Sequence, residues 1–278
     1  MIKLFFINNW GQTLESHIED IKYATPNHSG IWKETLTYTL DLTETDYFVI
    51  LEDIPSQYKG RIDYRRTIYI QLEPPWITKK NNFIEKQDLF SRVTYASMWG
   101  TAMWWSYIPF NHFAKHHSFS KTKNFSCLIS NKQVTEGHCN RLKFLNEYQK
   151  KYNNLDRYGR GTSKELSRAD TAFAFKHYQY SLVCENGQYK NYATEKLFDC
   201  FLNWSMPIYW GATNVYDYFP KDSLYTIDVI NDSVDKLYDI TQKPITKENL
   251  DAMKEARELI LYKYNMWEIL YQMLKDKI

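Results

Sequence analysis

Polar and charged side chains follow three of the apolar runs that the sequence marks as buried strands. They are Glu73, Ser130 with Asn131, and Glu185 with Asn186. In open sheets of parallel strands, ligands bind outside the carboxyl ends of the strands. We therefore expect these side chains to border a ligand site.

A helix start supplies cationic groups for the same site. Residues 192–196 read Tyr-Ala-Thr-Glu-Lys and open a predicted helix with Thr194 as its N-cap. Free N–H groups and the positive end of the helix dipole suit a diphosphate. Lys196 adds a full charge in the first turn, and Arg141 could add a second one with bidentate geometry. Together these groups could neutralise a nucleotide diphosphate without a metal.

The carboxylates beside this helix start allow two interpretations. Glu185 or Glu195 could accept hydrogen bonds from ribose or sugar hydroxyls. In the ordinary alternative, Glu195 is a first-turn acid that suits the helix dipole and Lys196 is a solvated surface charge. Taken by itself, the short segment favours that alternative.

Two successive α/β blocks must position these residues. Apolar, β-branched runs occur at residues 2–7, 46–51, 66–72, 92–95, 125–129, 178–183, 206–210 and 224–227. Continuously apolar runs separated by longer segments predict parallel sheets covered on both faces. Helices are predicted at residues 139–152, 194–204, 234–238 and, as one long amphipathic helix, 246–277. We predict domains at residues 1–118 and 119–278, with the terminal helix packing back across the domains.

Composition excludes several classes of protein. The chain has 278 residues, 44% of them hydrophobic and 24% charged, which rules out a disordered chain. A net charge of +2 gives no strong electrostatic field for nucleic acid or an anionic membrane, and we predict no nucleic-acid partner. No apolar run approaches the roughly 18 residues of a membrane span. Four cysteines without C-x-x-C spacing predict buried, reduced thiols and a cytoplasmic location, with peripheral attachment to a membrane left open.

A longer stretch resembles a known enzyme family. Residues 178–215 read YQYSLVCENGQYKNYATEKLFDCFLNWSMPIYWGATNV. The string resembles the donor-binding motif of the α-1,3/1,4-fucosyltransferases, glycosyltransferase family 10. That motif runs approximately Y-K-F-x-L-x-F-E-N-S, then Y-V-T-E-K-x-x-D-A, then P-I-Y-W-G. Upstream, Ser130-Asn131 with Arg141 resembles the family's S-N…R element, and residues 155–161 resemble its V-D-x-Y-G-x-G turn.

The resemblance implies a GT-B fold, in which two Rossmann-like domains face each other across a cleft. The C-terminal domain would hold GDP-fucose and the N-terminal domain a glycan acceptor. By position, Arg141 and Lys196 would contact the diphosphate. The other implied donor-site residues are Tyr192, Glu195, Asn186 and Glu185, with Ser130, Asn131 and Thr194 beside them. Glu73 would be the general base that removes the proton from the attacking acceptor hydroxyl, with inversion at the anomeric carbon.

The implied product is a fucosylated glycan, with an α-1,3 linkage to an N-acetylglucosamine or glucose unit. Alternatives are the same scaffold with another nucleotide sugar, or an inactive glycan-binding relative. Cys184 and Gly187 depart from the family motif beside the site and bear on the identity of the sugar. Glu52 and Asp53 rival Glu73 as the base, and a carboxylate pair including Glu73 would suit a glycoside hydrolase.

No catalytic metal is predicted. The sequence has no D-x-D motif, and His112 and His116 have no carboxylate or cysteine partner nearby. The expected cofactor is therefore none, with weak stimulation by Mn²⁺ or Mg²⁺ left open. The sequence does not indicate an oligomeric state.

Overall fold

Residues 1–72, 92–95, 103–115 and 120–277 are described by a computed structural model. The chain clusters into two units. The first comprises Met1–Met103, Ile108–His112 and Leu261–Ile278, and the second comprises Trp104–Tyr107 and Phe113–Ile260. Residues 261–278 thus group with the first unit and not with the rest of the predicted domain at 119–278.

Strands and helices alternate along both units. The strands are β1 (Ile2–Asn8), β2 (Leu36–Tyr38), β3 (Tyr47–Leu51), β4 (Thr67–Gln71), β5 (Arg92–Tyr95), β6 (Lys123–Leu128), β7 (Asp156–Tyr158), β8 (Tyr178–Cys184), β9 (Met206–Trp210) and β10 (Tyr225–Thr226). The α-helices are α1 (Leu14–Lys22), α2 (Phe110–Lys115), α3 (Glu136–Lys151), α4 (Glu195–Leu202), α5 (Val234–Thr241), α6 (Lys247–Glu258) and α7 (Met266–Leu274). Within the described ranges, none of these helices is long and apolar enough to cross a bilayer.

The first unit is built on a parallel sheet with strand order β2-β1-β3-β4-β5. One face of this sheet carries Phe5, Ile7, Phe48 and Ile50, which form a core with Ile54. The central strands are apolar on both faces because helices or loops cover both sides of a parallel sheet. The sequence therefore predicted β1, β3 and β4 correctly, but it missed α1 and the three-residue strand β2.

The C-terminal segment covers the other face of the first sheet. The rings of Phe6 and Trp267 lie 5.4 Å apart, and Trp267 Nε1 donates to the Ile21 carbonyl at 3.1 Å. The predicted single helix at residues 246–277 is wrong. A π-helical turn at Leu259–Lys263 follows α6, and Asn265 (φ −52°, ψ 133°) leaves the helical path to cap α7. The new helix direction lets Trp267 reach the sheet of the first unit.

The second unit repeats the arrangement, with parallel strand order β10-β9-β8-β6-β7. Its core packs Phe125 and Cys127 of β6 and Tyr180 and Leu182 of β8 against Leu145 of α3. The predicted α/β class with parallel sheets is confirmed. Three cysteines are buried and free, as expected, whereas Cys139 is exposed.

Helix α4 is held at its carboxyl end and at its middle. At its carboxyl end, the buried Arg257 of α6 donates to the carbonyls of Phe201 (3.2 Å) and Leu202. Midway, the buried carboxylate of Asp199 accepts from the Trp105 N–H, with both oxygens at 3.2 Å. These contacts fix where the N-terminus of α4 lies, because a short helix moves as a rigid rod.

We predict that Asp199→Asn changes the pH dependence of stability. Burial raises the Asp199 pKa to about 7, although the hydrogen bond from Trp105 opposes the shift. A raised folded-state pKa contributes stability below the unfolded value near 4, and this contribution is lost as pH rises through 7. The variant lacks this titration, so the free energy of unfolding of the wild type relative to the variant should fall from pH 5 to about pH 7, by roughly 1.4 kcal/mol per pH unit at most, and level off above pH 7. A constant difference across that range, measured by calorimetry, would contradict the prediction.

Candidate active site

The carboxyl edge of the second sheet brings the N-terminus of α3 against the end of β8. Thr135 caps α3 by accepting from the His138 N–H at 3.2 Å, and its hydroxyl lies 3.3 Å from the Asn186 carbonyl oxygen. Gly137 permits this approach, because a Cβ at that position would lie 2.3 Å from the same oxygen. The free N–H groups of α3 therefore lie beside Asn186, one of the predicted donor-site residues.

Arg141 is almost fully buried, with 3% of its surface exposed, next to the end of β8. Its Nη1 donates to the carbonyls of Cys184 and Glu185 at 3.1 and 3.2 Å and to Asn186 Oδ1 at 3.3 Å. Its Nε has no hydrogen-bond partner among the described residues. Burial lowers the pKa of this guanidinium, yet arginine remains charged at neutral pH. The side chain thus carries a buried positive charge with an unused donor.

A buried carboxylate ties the end of β8 to the start of α4. Glu185 is completely buried and accepts from the Thr194 N–H and hydroxyl, both at 2.7 Å. Lys196 Nζ lies 3.4 Å from Glu185, 2.9 Å from the Thr194 hydroxyl and 3.0 Å from Glu195. Four residues predicted from the sequence therefore form one hydrogen-bonded cluster.

Burial and neighbouring charges shift the pKa values of Glu185 and Lys196 in this cluster. Burial raises the Glu185 pKa, and the nearby Lys196 charge partly offsets that rise. For Lys196, burial opposes the charged form, but the carboxylates of Glu195 and Glu185 outweigh burial and raise its pKa. The lysine side chain is 21% exposed and that of Glu195 is 34% exposed. Lys196 is therefore a charged group that solvent and a ligand can reach.

The remaining predicted donor-site residues lie close to the cluster or on the neighbouring strand. Tyr192 is 4% exposed, and its carbonyl accepts from the Tyr209 hydroxyl at 3.1 Å. Ser130 and Asn131 follow β6. The Asn131 amide group bonds to Gly161 and Arg157, so it joins the loop after β7 to the sheet edge. Whether any of these residues contacts a donor stays a prediction.

The predicted base and its rivals belong to the first unit. Glu73 lies outside the described residues, as does His116, and β4 ends two residues before Glu73. Glu52 is 5% exposed and accepts from the Leu72 N–H. Asp53 accepts from Asn9 Nδ2 at 3.0 Å and from the Ile54 N–H at 2.7 Å. Glu52 therefore joins the ends of strands β3 and β4, and Asp53 joins the end of β3 to the residue that follows β1.

Sequence reasoning missed Thr135 and His138, because it started the helix at residue 139. The signal in the sequence was Thr135, because threonine is a preferred N-cap and its side chain accepts from the backbone N–H three residues later. Burial and the charges of Arg141 and Lys132 lower the His138 pKa to about 4. His138 is thus a neutral imidazole at the N-terminus of α3. In the described part of the chain, no cluster of histidine, cysteine or acidic residues has the composition of a metal site.

This geometry can hold a multiply charged anion. Two helix N-termini, of α3 and α4, and two cationic side chains, Arg141 and Lys196, border one edge of the second sheet. Backbone N–H groups, helix dipoles and cations act together on phosphate groups.

The segment that forms this edge matches the model of glycosyltransferase family 10 (fucosyltransferase), C-terminal domain, over residues 118–251. The family resemblance recognised from residues 178–215 is thereby confirmed.

Named relatives and solved structures agree with this family. The chain is 45% identical over 51 residues to an alpha-(1,4)-fucosyltransferase of Arabidopsis thaliana, which is 18% of this chain and 13% of the relative. It is 25% identical over 193 residues to 4-galactosyl-N-acetylglucosaminide 3-alpha-L-fucosyltransferase 9 of Rattus norvegicus, covering 65% and 49% of the two chains. The chain thus spans half or less of the length of these relatives.

Two solved structures share the fold. A crystal structure of an alpha1,3-fucosyltransferase superimposes with a TM-score of 0.53 at 16% identity, over 95% of this chain and 82% of that one. A crystal structure of alpha1,3-fucosyltransferase with GDP gives a TM-score of 0.53 at 15% identity, over 95% and 92%. This likeness confirms the GT-B class expected for the fold.

We predict that Glu185→Gln destabilises the second unit by about 1–3 kcal/mol, because the amide would turn a donor toward Thr194 and Lys196 and leave buried groups unpaired. The melting temperature should fall by about 3–10 °C. Glu195→Gln is the matched control, since its carboxylate is partly exposed and its loss should shift the melting temperature by less than about 2 °C. Equal shifts in the two variants would contradict a structural role for Glu185.

Proposed function

We propose that the chain is an inverting fucosyltransferase that moves L-fucose from GDP-fucose to a hydroxyl of a glycan acceptor. The observation that supports the proposal is that Arg141, Lys196 and the N-terminus of α4, three groups suited to an anion, lie along one edge of the second sheet. This site lies in the segment that matches the fucosyltransferase family. A protein of the same fold was solved with GDP, a ligand whose diphosphate suits such a site.

The proposed step is a single displacement. The acceptor oxygen forms a bond to the anomeric carbon of fucose while the bond from that carbon to the diphosphate oxygen breaks. The acceptor proton passes to Glu73, and GDP leaves with the bonding electron pair. Arg141 and Lys196 stabilise the negative charge that grows on the diphosphate, which is the usual largest contribution of a preorganised site. A protein carboxylate and two cations suffice, so we propose that no metal is required.

For the acceptor, we propose an N-acetylglucosamine or glucose unit joined through an α-1,3 linkage. A curated relative whose name includes 4-galactosyl-N-acetylglucosaminide 3-alpha-L-fucosyltransferase points to this class of sugar. Transfer to a panel of defined glycans, followed by linkage analysis, tests the assignment. Transfer from a different nucleotide sugar, or binding of glycans without transfer, would favour one of the two alternatives.

We predict that Lys196→Ala weakens GDP binding by roughly ten- to a hundredfold, because a charge-assisted contact to phosphate contributes about 1.5–3 kcal/mol. Isothermal titration calorimetry measures the change, and Lys254→Ala provides a control with a lysine that is 53% exposed on α6.

In thermal-shift assays GDP should stabilise the wild type more than UDP does. Stabilisation by UDP but not by GDP would overturn the donor assignment.

We predict that Glu73→Gln abolishes transfer, lowering the rate at least a hundredfold, while the affinity for GDP stays within about twofold of wild type. Loss of a general base affects the proton transfer and not the diphosphate contacts. The transfer assay with labelled GDP-fucose is run in EDTA, which tests metal independence in the same experiment. Retained transfer by Glu73→Gln would point to another base, for which Asp53→Asn is the comparison.

A further inference from the structure

His138 is a buried side chain that the steps above do not use. It is the third residue of α3 and is 4% exposed. Its Nδ1 lies 2.5 Å from the Thr135 hydroxyl oxygen, which also caps the helix. No hydrogen bond joins the second ring nitrogen, Nε2, to a described residue. The threonine thus holds one edge of the ring and leaves the other edge for a ligand.

The surroundings of His138 are strongly positive. The charged groups facing it are Lys132 in the loop after β6, Arg141 on its own helix and Lys196 at the start of α4. Burial, these three cations and the positive end of the α3 dipole all disfavour an imidazolium. The ring therefore stays neutral at physiological pH. We assign the single proton of the Thr135 hydroxyl to the contact with Nδ1 at 2.5 Å rather than to the Asn186 carbonyl oxygen at 3.3 Å. In that tautomer the neutral ring carries its proton on Nε2 and can donate it.

A second unused donor lies on the same face of α3. Residues 138 and 141 are three positions apart, so their side chains are neighbours on the helix surface. The Nε of Arg141 is buried and has no partner among the described residues. A diphosphate offers several acceptor oxygens close together, so one ligand can satisfy both donors.

We propose that His138 is a donor-binding residue that gives an Nε2–H hydrogen bond to the diphosphate, next to Arg141. The inference rests on the proposed function, since it assigns a further contact within the same site. Thr135 acts here as a positioning residue, because it orients the ring without reaching the ligand. The site thereby gains a third donor that adds no charge where two cations already repel each other.

The test is the affinity for GDP of His138→Ala, His138→Gln and the wild type, measured by calorimetry between pH 6 and pH 8. His138→Ala should bind roughly tenfold more weakly, the loss typical of a hydrogen bond to a charged group. His138→Gln retains a neutral donor and should stay within about threefold of wild type. Cys139→Ala is the matched control, since Cys139 is the exposed next residue of α3.

The pH dependence separates a neutral donor from a charged one. The ratio of the wild-type and His138→Ala affinities should be constant from pH 6 to pH 8, because the ring takes up no proton on binding. A ratio that rises toward acid pH would overturn the neutral assignment. Nitrogen NMR of the wild type with GDP gives a readout that needs no variant: Nε2 should carry the proton and Nδ1 should not.

Two negative results are distinguishable. Wild-type binding of GDP with no loss in His138→Ala would overturn this inference and leave the proposed function standing. Failure of the wild type to bind GDP would overturn the proposed function and this inference together.

Discussion

The buried carboxylate of Glu185 is the interaction on which the candidate site depends. Removing a carboxylate from water costs several kcal/mol unless hydrogen bonds and an opposite charge compensate it. Glu185 obtains that compensation from Thr194 and Lys196, which lie at the start of the next helix. The need to satisfy one buried charge therefore sets the position of the α4 N-terminus relative to β8, and with it the position of the lysine.

Close backbone packing completes the arrangement. A Cβ at Gly137 would lie 2.3 Å from the Asn186 oxygen, and one at Gly211 would lie 2.2 Å from the Tyr209 hydroxyl and 2.5 Å from Glu185 Cγ. Each glycine thus lets an element approach the end of β8 more closely than any other residue would allow. As a result two helix N-termini converge on one edge of the sheet, where their dipoles reinforce the charges of Arg141 and Lys196.

The sequence predicted those elements that have a periodic hydrophobic pattern or a recognisable capping residue. Continuously apolar runs gave the central parallel strands, and the threonine before Glu195 gave the start of α4 to within one residue. Strands β2 and β7 have three residues each, too few for a pattern. The break at Asn265 was missed because the apolar stripe continues through it, and only the docking of Trp267 on the first sheet requires the turn.

The role of Glu185 could not be predicted for a different reason. Its sequence neighbours are compatible with either a ligand contact or a structural carboxylate, and only burial distinguishes the two. The same distinction separates it from Glu195, which bonds to the same lysine but keeps 34% of its side chain exposed. A partly exposed carboxylate can exchange its lysine contact for water at little cost, whereas a fully buried one cannot. Under the proposed function, Lys196 turns from Glu195 to the incoming diphosphate while Glu185 keeps the ammonium in place, so that a single lysine would serve both the fold and the ligand.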